Sequence, residues 1–149
     1  MQENQRLINF LNQEVSNFVV LYVKLHRYHW FIQGRHFFGL HEKFEELYEE
    51  AAGYIDDLAE RVLAIGGKPL ATMSKYLDET TLKEAEADDK EPEMLSTLHA
   101  DLTQIAAELK EGEDLAAEYE DEPSADLMIQ IEGALEKHAW MIRAAMGEA

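Results

Sequence analysis

From Leu7 onward the apolar positions fall at Leu7, Leu11, Val15, Phe18, Tyr22 and Leu25, in alternating steps of four and three that carry on to His29. One face of an α-helix demands that spacing, so a first helix is predicted to reach about Phe31. A second run passes through Leu40, Phe44, Leu47, Ala51, Ile55, Leu58, Val62 and Ile65 and stops at Gly66-Gly67 with Pro69 beyond. Paired glycines followed by proline are a helix-ending signal, which bounds the second helix at about 37–65. A polar stretch over 67–92 follows, with a short helical segment around Ser74 to Leu77. After Pro92, the residues Leu95, Leu98, Leu102, Ile105 and Leu109 mark a third helix, weakened but not ended by Gly112 and running to about Tyr119. The acidic turn EYEDEPS leads into a fourth, with Leu127, Ile131, Leu135, His138 and Ile142 on one face and Ser124 as N-cap. No strand pattern is present.

Four amphipathic helices of roughly 20 to 30 residues predict an all-α, four-helix bundle. Antiparallel neighbours need only short loops, whereas the 67–92 connector can traverse the whole bundle, so helices two and three are predicted to run parallel. Neither half could bury its own apolar stripes. With 149 residues and 46% hydrophobic content, the chain can bury roughly 70% of its unfolded surface in one core, and 1–149 is read as a single domain.

Acidic residues outnumber basic ones 31 to 13, for a formal net charge of -18. Such a surface repels nucleic-acid phosphates and anionic membranes and attracts cations. The chain has no Cys, so any metal must be held by His and carboxylate. The start has no signal-peptide core, and the longest apolar run, Phe18 to Val23, is far below the roughly 20 residues of a membrane span. A soluble cytoplasmic protein without membrane contact is expected.

Four of the six histidines crowd into HRYHWFIQGRHFFGLHEKFEE, residues 26–46. With about 100° per residue and Phe44 at zero, Leu47 and Leu58 fall near 300° and 320°, while His41, Glu45, Asp56 and Glu60 fall near 60°, 100°, 120° and 160°. The last four share a flank beside the core stripe. His41/Glu45 and Asp56/Glu60 are i,i+4 pairs, the spacing at which two side chains reach one ion. His41 and Asp56, however, stand fifteen positions apart, about 22 Å of helix against metal–ligand bonds of about 2 Å. Either two half-sites are completed by other helices, or the His end of one chain meets the carboxylate end of another across a two-fold axis, the arrangement we favour. None of the six histidines has Glu three positions earlier, so the Glu-x-x-His ligands of ordinary di-iron bundles are missing.

The stretch HRYHWFIQGRHFFGLHEKFEELYEE, continued by YIDDLAERVLAIGGKP and supported by EKHAWMIRA, resembles the Dps proteins, the ferritin-like miniferritins named as DNA-binding proteins from starved cells. Length, helix count and the small connector helix agree across nearly the whole chain. The resemblance implies a ferritin-like bundle with an extra short helix in its long connector, assembled into a hollow dodecamer. Such a protein oxidises Fe(II), preferentially with hydrogen peroxide, and stores ferric mineral, protecting against oxidative stress. It also implies a ferroxidase centre between subunits for two iron ions, with His29 and His41 from one chain and Asp56 and Glu60 from its partner. Glu45 stands where the family usually has Asp; about one methylene longer, it can ligate iron or bond iron-bound water. Neutral imidazole and carboxylate suit Fe(II), and the anionic ligands stabilise Fe(III). Trp30 resembles the family's tryptophan near that centre, placed to intercept stray oxidising equivalents. Asp121, Glu122 and Asp126 resemble the segment lining negatively charged three-fold pores, where carboxylates draw in hydrated Fe(II).

Taken singly these residues have blander readings: a core or interface histidine for His29, solvated helix positions for Glu45, Asp56 and Glu60, a solvated turn for 118–126. His26 is assigned to packing, and His36, His99 and His138 are structural by default. One rival is a DNA-compacting shell with a weak metal centre. Direct DNA binding is not expected, because only Arg6 precedes the first helix's stripe, the C-terminus ends MGEA, and the chain is strongly acidic. The other rival is a metal-free helical interaction bundle.

Overall fold

A computed structural model describes residues 3–86 and 90–147. It contains five helices, α1 (Gln5–Phe31), α2 (Phe37–Ala64), α3 (Met73–Glu79), α4 (Glu91–Glu118) and α5 (Glu122–Ala145), and no strand among the described residues. The periodic stripes meet in one core in which Leu7, Leu11, Phe18, Phe44, Leu98 and Leu102 are at most 1% exposed.

Cross-helix bonds fix the chain directions. Arg6, Gln13 and Lys24 of α1 meet Glu118, Glu108 and Asp101 of α4 in descending order, so these helices are antiparallel. The short 32–36 corner makes α1 and α2 antiparallel as well, with Asn4 at one end of α1 donating to the Ile65 carbonyl just beyond α2. It follows that α2 and α4 run parallel, as the long connector predicts.

α2 ends where expected because Gly66 adopts φ +92°, a left-handed conformation that costs a glycine little. The Gly67 amide then reaches back to the Val62 carbonyl at 2.8 Å. The connector's helix is longer than the segment predicted at Ser74 to Leu77, since the Thr72 hydroxyl caps it by accepting from the Lys75 amide. Pro92 lies inside the first turn of α4 rather than before it, where the amide it lacks would have had no helical partner.

The start of α5 corrects one expectation. Ser124 is not the N-cap; Asp121 is, accepting from the Ser124 amide at 3.0 Å and from the Ser124 hydroxyl at 2.6 Å. Pro123 favours the first turn of a helix, which draws the cap back to the acidic residue ahead of it.

The crossover is held along α1 by side chains that serve its backbone. The Asn12 amide group donates to the Lys68 carbonyl and accepts from the Leu70 amide. Further along, Asn17 accepts from the Thr81 amide, Lys24 donates to the Lys83 carbonyl, and Arg27 donates to the Glu86 carbonyl. The connector backbone thus finds partners without a ladder of its own.

Candidate metal centre

His29 lies in the last turn of α1 and His41 near the start of α2. Their rings stack with centroids 3.7 Å apart and planes 12° apart. Each Nδ1 meets the other residue's backbone carbonyl, His29 Nδ1 to His41 O at 2.7 Å and His41 Nδ1 to His29 O at 2.8 Å. A carbonyl oxygen can only accept, so both Nδ1 atoms carry the hydrogen. In the neutral rings each Nε2 is then left with its lone pair, the tautomer a metal ligand requires. The His29 carbonyl belongs to the last turn of a helix, where no intrahelical amide reaches it. The lock therefore also ties the helix corner together.

Around this pair, the Glu45 Oε1 stands 3.7 Å from His29 Nε2. Tyr48 presents its ring edge-on to His29 at 5.4 Å and stacks on His26 at 3.7 Å. Partial burial, followed by the Glu45 and Glu49 carboxylates, holds the Tyr48 phenol above its ordinary pKa. His26 donates from Nδ1 to the Tyr22 carbonyl, a packing arrangement. Trp30 packs on His26 at 5.3 Å with 66% of its surface exposed.

Asp56 and Glu60 are exposed, one turn apart on α2. Since α2 is one continuous helix, the fifteen positions from His41 to Asp56 keep the two pairs about 22 Å apart along it. Within the single chain, no group of three or more His, Asp or Glu side chains gathers to hold a metal among the described residues. Trp30, Phe31 and Val23 of α1, with Met73 and Leu77 of α3, border an open apolar groove of about 230 Å³ on the α1–α3 side of the bundle. Those five side chains are each between 44% and 66% exposed.

Of the three residues read as lining a pore, Glu122 and Asp126 are exposed. Asp121 is bound within the chain, by Ser124 and by Arg61 Nη2 at 3.1 Å. Two partly buried clusters escaped the sequence reading. His138 Nε2 meets Glu50 Oε2 at 2.6 Å, and the Tyr54 hydroxyl donates to the same carboxylate. Glu14, 0% exposed, faces Glu108 across α1 and α4. Glu14 lies seven positions after Leu7 and three after Leu11, so an acidic residue on the core stripe was the available signal.

Residues 8–149 match the Ferritin family, described as a ferritin-like domain, which sets the class of the bundle. The DNA protection during starvation protein of Brevibacillus brevis is 53% identical over 134 residues, covering 90% of each chain. A crystal structure of a Dps protein from Bacillus brevis superposes with a TM-score of 0.96 at 49% identity, over 98% of this chain and 99% of that one. The Dps protein from Vibrio cholerae O1, described as a member of a broad superfamily of ferritin-like diiron-carboxylate proteins, superposes with a TM-score of 0.93 at 34% identity over 96% and 90%. The chain belongs to the Dps family of ferritin-like proteins.

Proposed function

We propose that this protein is an iron-detoxifying and iron-storing miniferritin. Identical chains assemble into a hollow dodecamer and oxidise Fe(II), preferentially with hydrogen peroxide, at sites shared between two chains. The ferric product is stored inside. Iron is here substrate and cargo. The observation that carries this reading is the separation of the donor sets: two tautomer-locked imidazoles at one end of α2 and an exposed Asp56/Glu60 pair at the other. A two-fold axis that brings the His end of one chain to the carboxylate end of its partner completes both sites at once. The exposed apolar groove between α1 and α3 supports an interface with a second chain, and the diiron-carboxylate description of the Vibrio relative supports iron as the metal.

The chemistry follows from the donors. His29 and His41 bind Fe(II) through Nε2, while Asp56 and Glu60 add negative charge that favours the ferric state. Glu45 reaches toward the same imidazole and is the candidate ligand or water-holder for a second iron. Each Fe(II) gives up one electron, and peroxide takes two electrons and two protons to form two waters. Paired iron therefore avoids the one-electron cleavage that releases hydroxyl radical. Trp30 is placed to intercept any oxidising equivalent that escapes, and Glu122 and Asp126, with Asp121 behind them, to draw cations toward the entry pores.

Mixing protein, Fe(II) and hydrogen peroxide should raise ferric absorbance far faster than buffer does, and the double variant His29→Ala/Asp56→Ala should abolish the acceleration. A double variant as fast as the parent would overturn the assignment. The net charge of -18 opposes the DNA-compacting alternative; plasmid should migrate unretarded with the apo protein at physiological ionic strength, and a retarded band would favour that alternative.

A further inference from the structure

We infer that a single proton held between Glu14 and Glu108 pins the crossover to the bundle, and that its removal at alkaline pH unseats residues 80–82. Glu14 lies in the middle of α1 with no exposed surface, and its carboxyl group and that of Glu108 of α4 lie side by side, accepting from the same two amide groups. Two ionised carboxylates present only acceptors and repel each other, a conflict removed when one of them holds a hydrogen. The amide side chains of Gln13 and Asn17 straddle the pair, each donating to both residues. The remaining Glu108 oxygen accepts from the Thr81 hydroxyl at 2.7 Å and from Gln104 at 3.2 Å. Asn17 Oδ1 in turn accepts from the Thr80 hydroxyl at 2.6 Å and the Thr81 amide at 2.8 Å. The crossover thus hangs on the same few atoms as the shared proton.

The groups facing Glu14 are Gln13 and Asn17 on its own helix, Glu108 and Gln104 on α4, and Thr80 and Thr81 on the connector. No Lys, Arg or His among the described residues is bonded to either carboxylate, because Lys24 is engaged with Asp101 and Lys110 points to Glu132. Burial first, then the Glu108 hydrogen bond and charge, pushes Glu14 up to about 9. Burial also raises Glu108, but the hydrogen bonds from Glu14, Thr81, Gln104 and Asn17 outweigh it and hold that carboxyl below its usual range. The proton therefore resides on Glu14. When it leaves, two negative charges meet inside the bundle with no cation between them. Glu108 is the half-buried member and relieves the repulsion by turning to water, which breaks its bond to Thr81.

Hydrogen–deuterium exchange on the assembled protein tests this, following a peptide that spans residues 78–84 from pH 7 to pH 10 and normalising to the intrinsic rate. Protection in the parent should fall at least tenfold on passing pH 9, whereas Glu14→Gln, which stays neutral and still donates to Glu108, should hold its protection throughout. The infrared band of a protonated carboxyl should disappear over the same range in the parent and be absent from Glu14→Gln. Should that variant fail to assemble, Glu108→Gln replaces it: with no second charge to repel Glu14, and an amide that can still accept from Thr81 and donate to an ionised Glu14, it should keep its protection through pH 10. A loss in Glu14→Gln or in Glu108→Gln equal to the parent's, or protection that follows sodium concentration at fixed pH, would overturn the inference, the last by assigning the site to a cation.

Discussion

Arg61 of α2 donates through Nη2 to Oδ1 of Asp121 at 3.1 Å, and the same carboxylate caps α5. The Arg61 side chain also donates from Nε to the buried Ser124 hydroxyl, so one guanidinium fastens the α4–α5 turn to the end of α2. Asp121 is therefore a structural carboxylate first. Asp121→Ala should cost about 1–3 kcal/mol, the combined loss of a cap and a largely buried charge-assisted bond. The exposed pair Glu122→Gln/Asp126→Asn should change stability by no more than about 0.5 kcal/mol yet slow iron uptake at low salt. Thermal unfolding and uptake rates at two ionic strengths separate these effects, since the uptake defect should shrink as salt screens the carboxylates.

A β-carbon on Gly112 would lie 2.2 Å from Phe10 Cε1 and 2.7 Å from Met128 Sδ. Ala normally stabilises a helix interior by about 1 kcal/mol over Gly. At this position the ring must be displaced, and overpacking of that kind costs about 1–3 kcal/mol. Gly112→Ala should therefore lower the denaturant midpoint; a raised midpoint would mean that Phe10 has room to move.

Glu50 supplies a pH dependence whose sign is fixed by its partners. The His138 hydrogen bond lowers its pKa below the ordinary 4.5; burial opposes this, and the Tyr54 hydroxyl adds to the lowering. A carboxyl depressed on folding contributes stability above its unfolded pKa and loses it as pH falls through the folded value. Glu50→Gln should thus destabilise the protein near neutral pH and flatten the loss of stability below about pH 4.5. Midpoints measured from about pH 7 to pH 3 check this, and identical slopes in parent and variant would exclude it.

The helices were legible from their unbroken apolar stripes and a few strong local signals. Gly66 supplies the left-handed residue that ends α2, and the stripe from Leu7 to His29 runs unbroken into a corner containing Gly34. The α5 cap was misread because Asp121 and Ser124 are both good caps three residues apart, and only the position of Pro123 in the first turn decides between them. At the site, the flank shared by His41, Glu45, Asp56 and Glu60 and the length of α2 were readable from spacing. The His29–His41 lock was not, because it depends on ring nitrogens crossing a corner to backbone carbonyls, which no side-chain pattern encodes. The Glu14–Glu108 contact joins positions far apart in sequence and needed the α1–α4 packing to be seen.

The sharpest test of an iron site shared between chains mixes two inactive variants, His29→Ala and Asp56→Ala, unfolded together in equal amounts and reassembled. If the imidazoles of one chain serve the carboxylates of another, each mixed pair holds one doubly defective site and one intact site. Random pairing should then restore about a quarter of the parent ferroxidase rate. If both donor sets act within a single chain, every site carries one lesion, and the mixture should stay as inactive as its components.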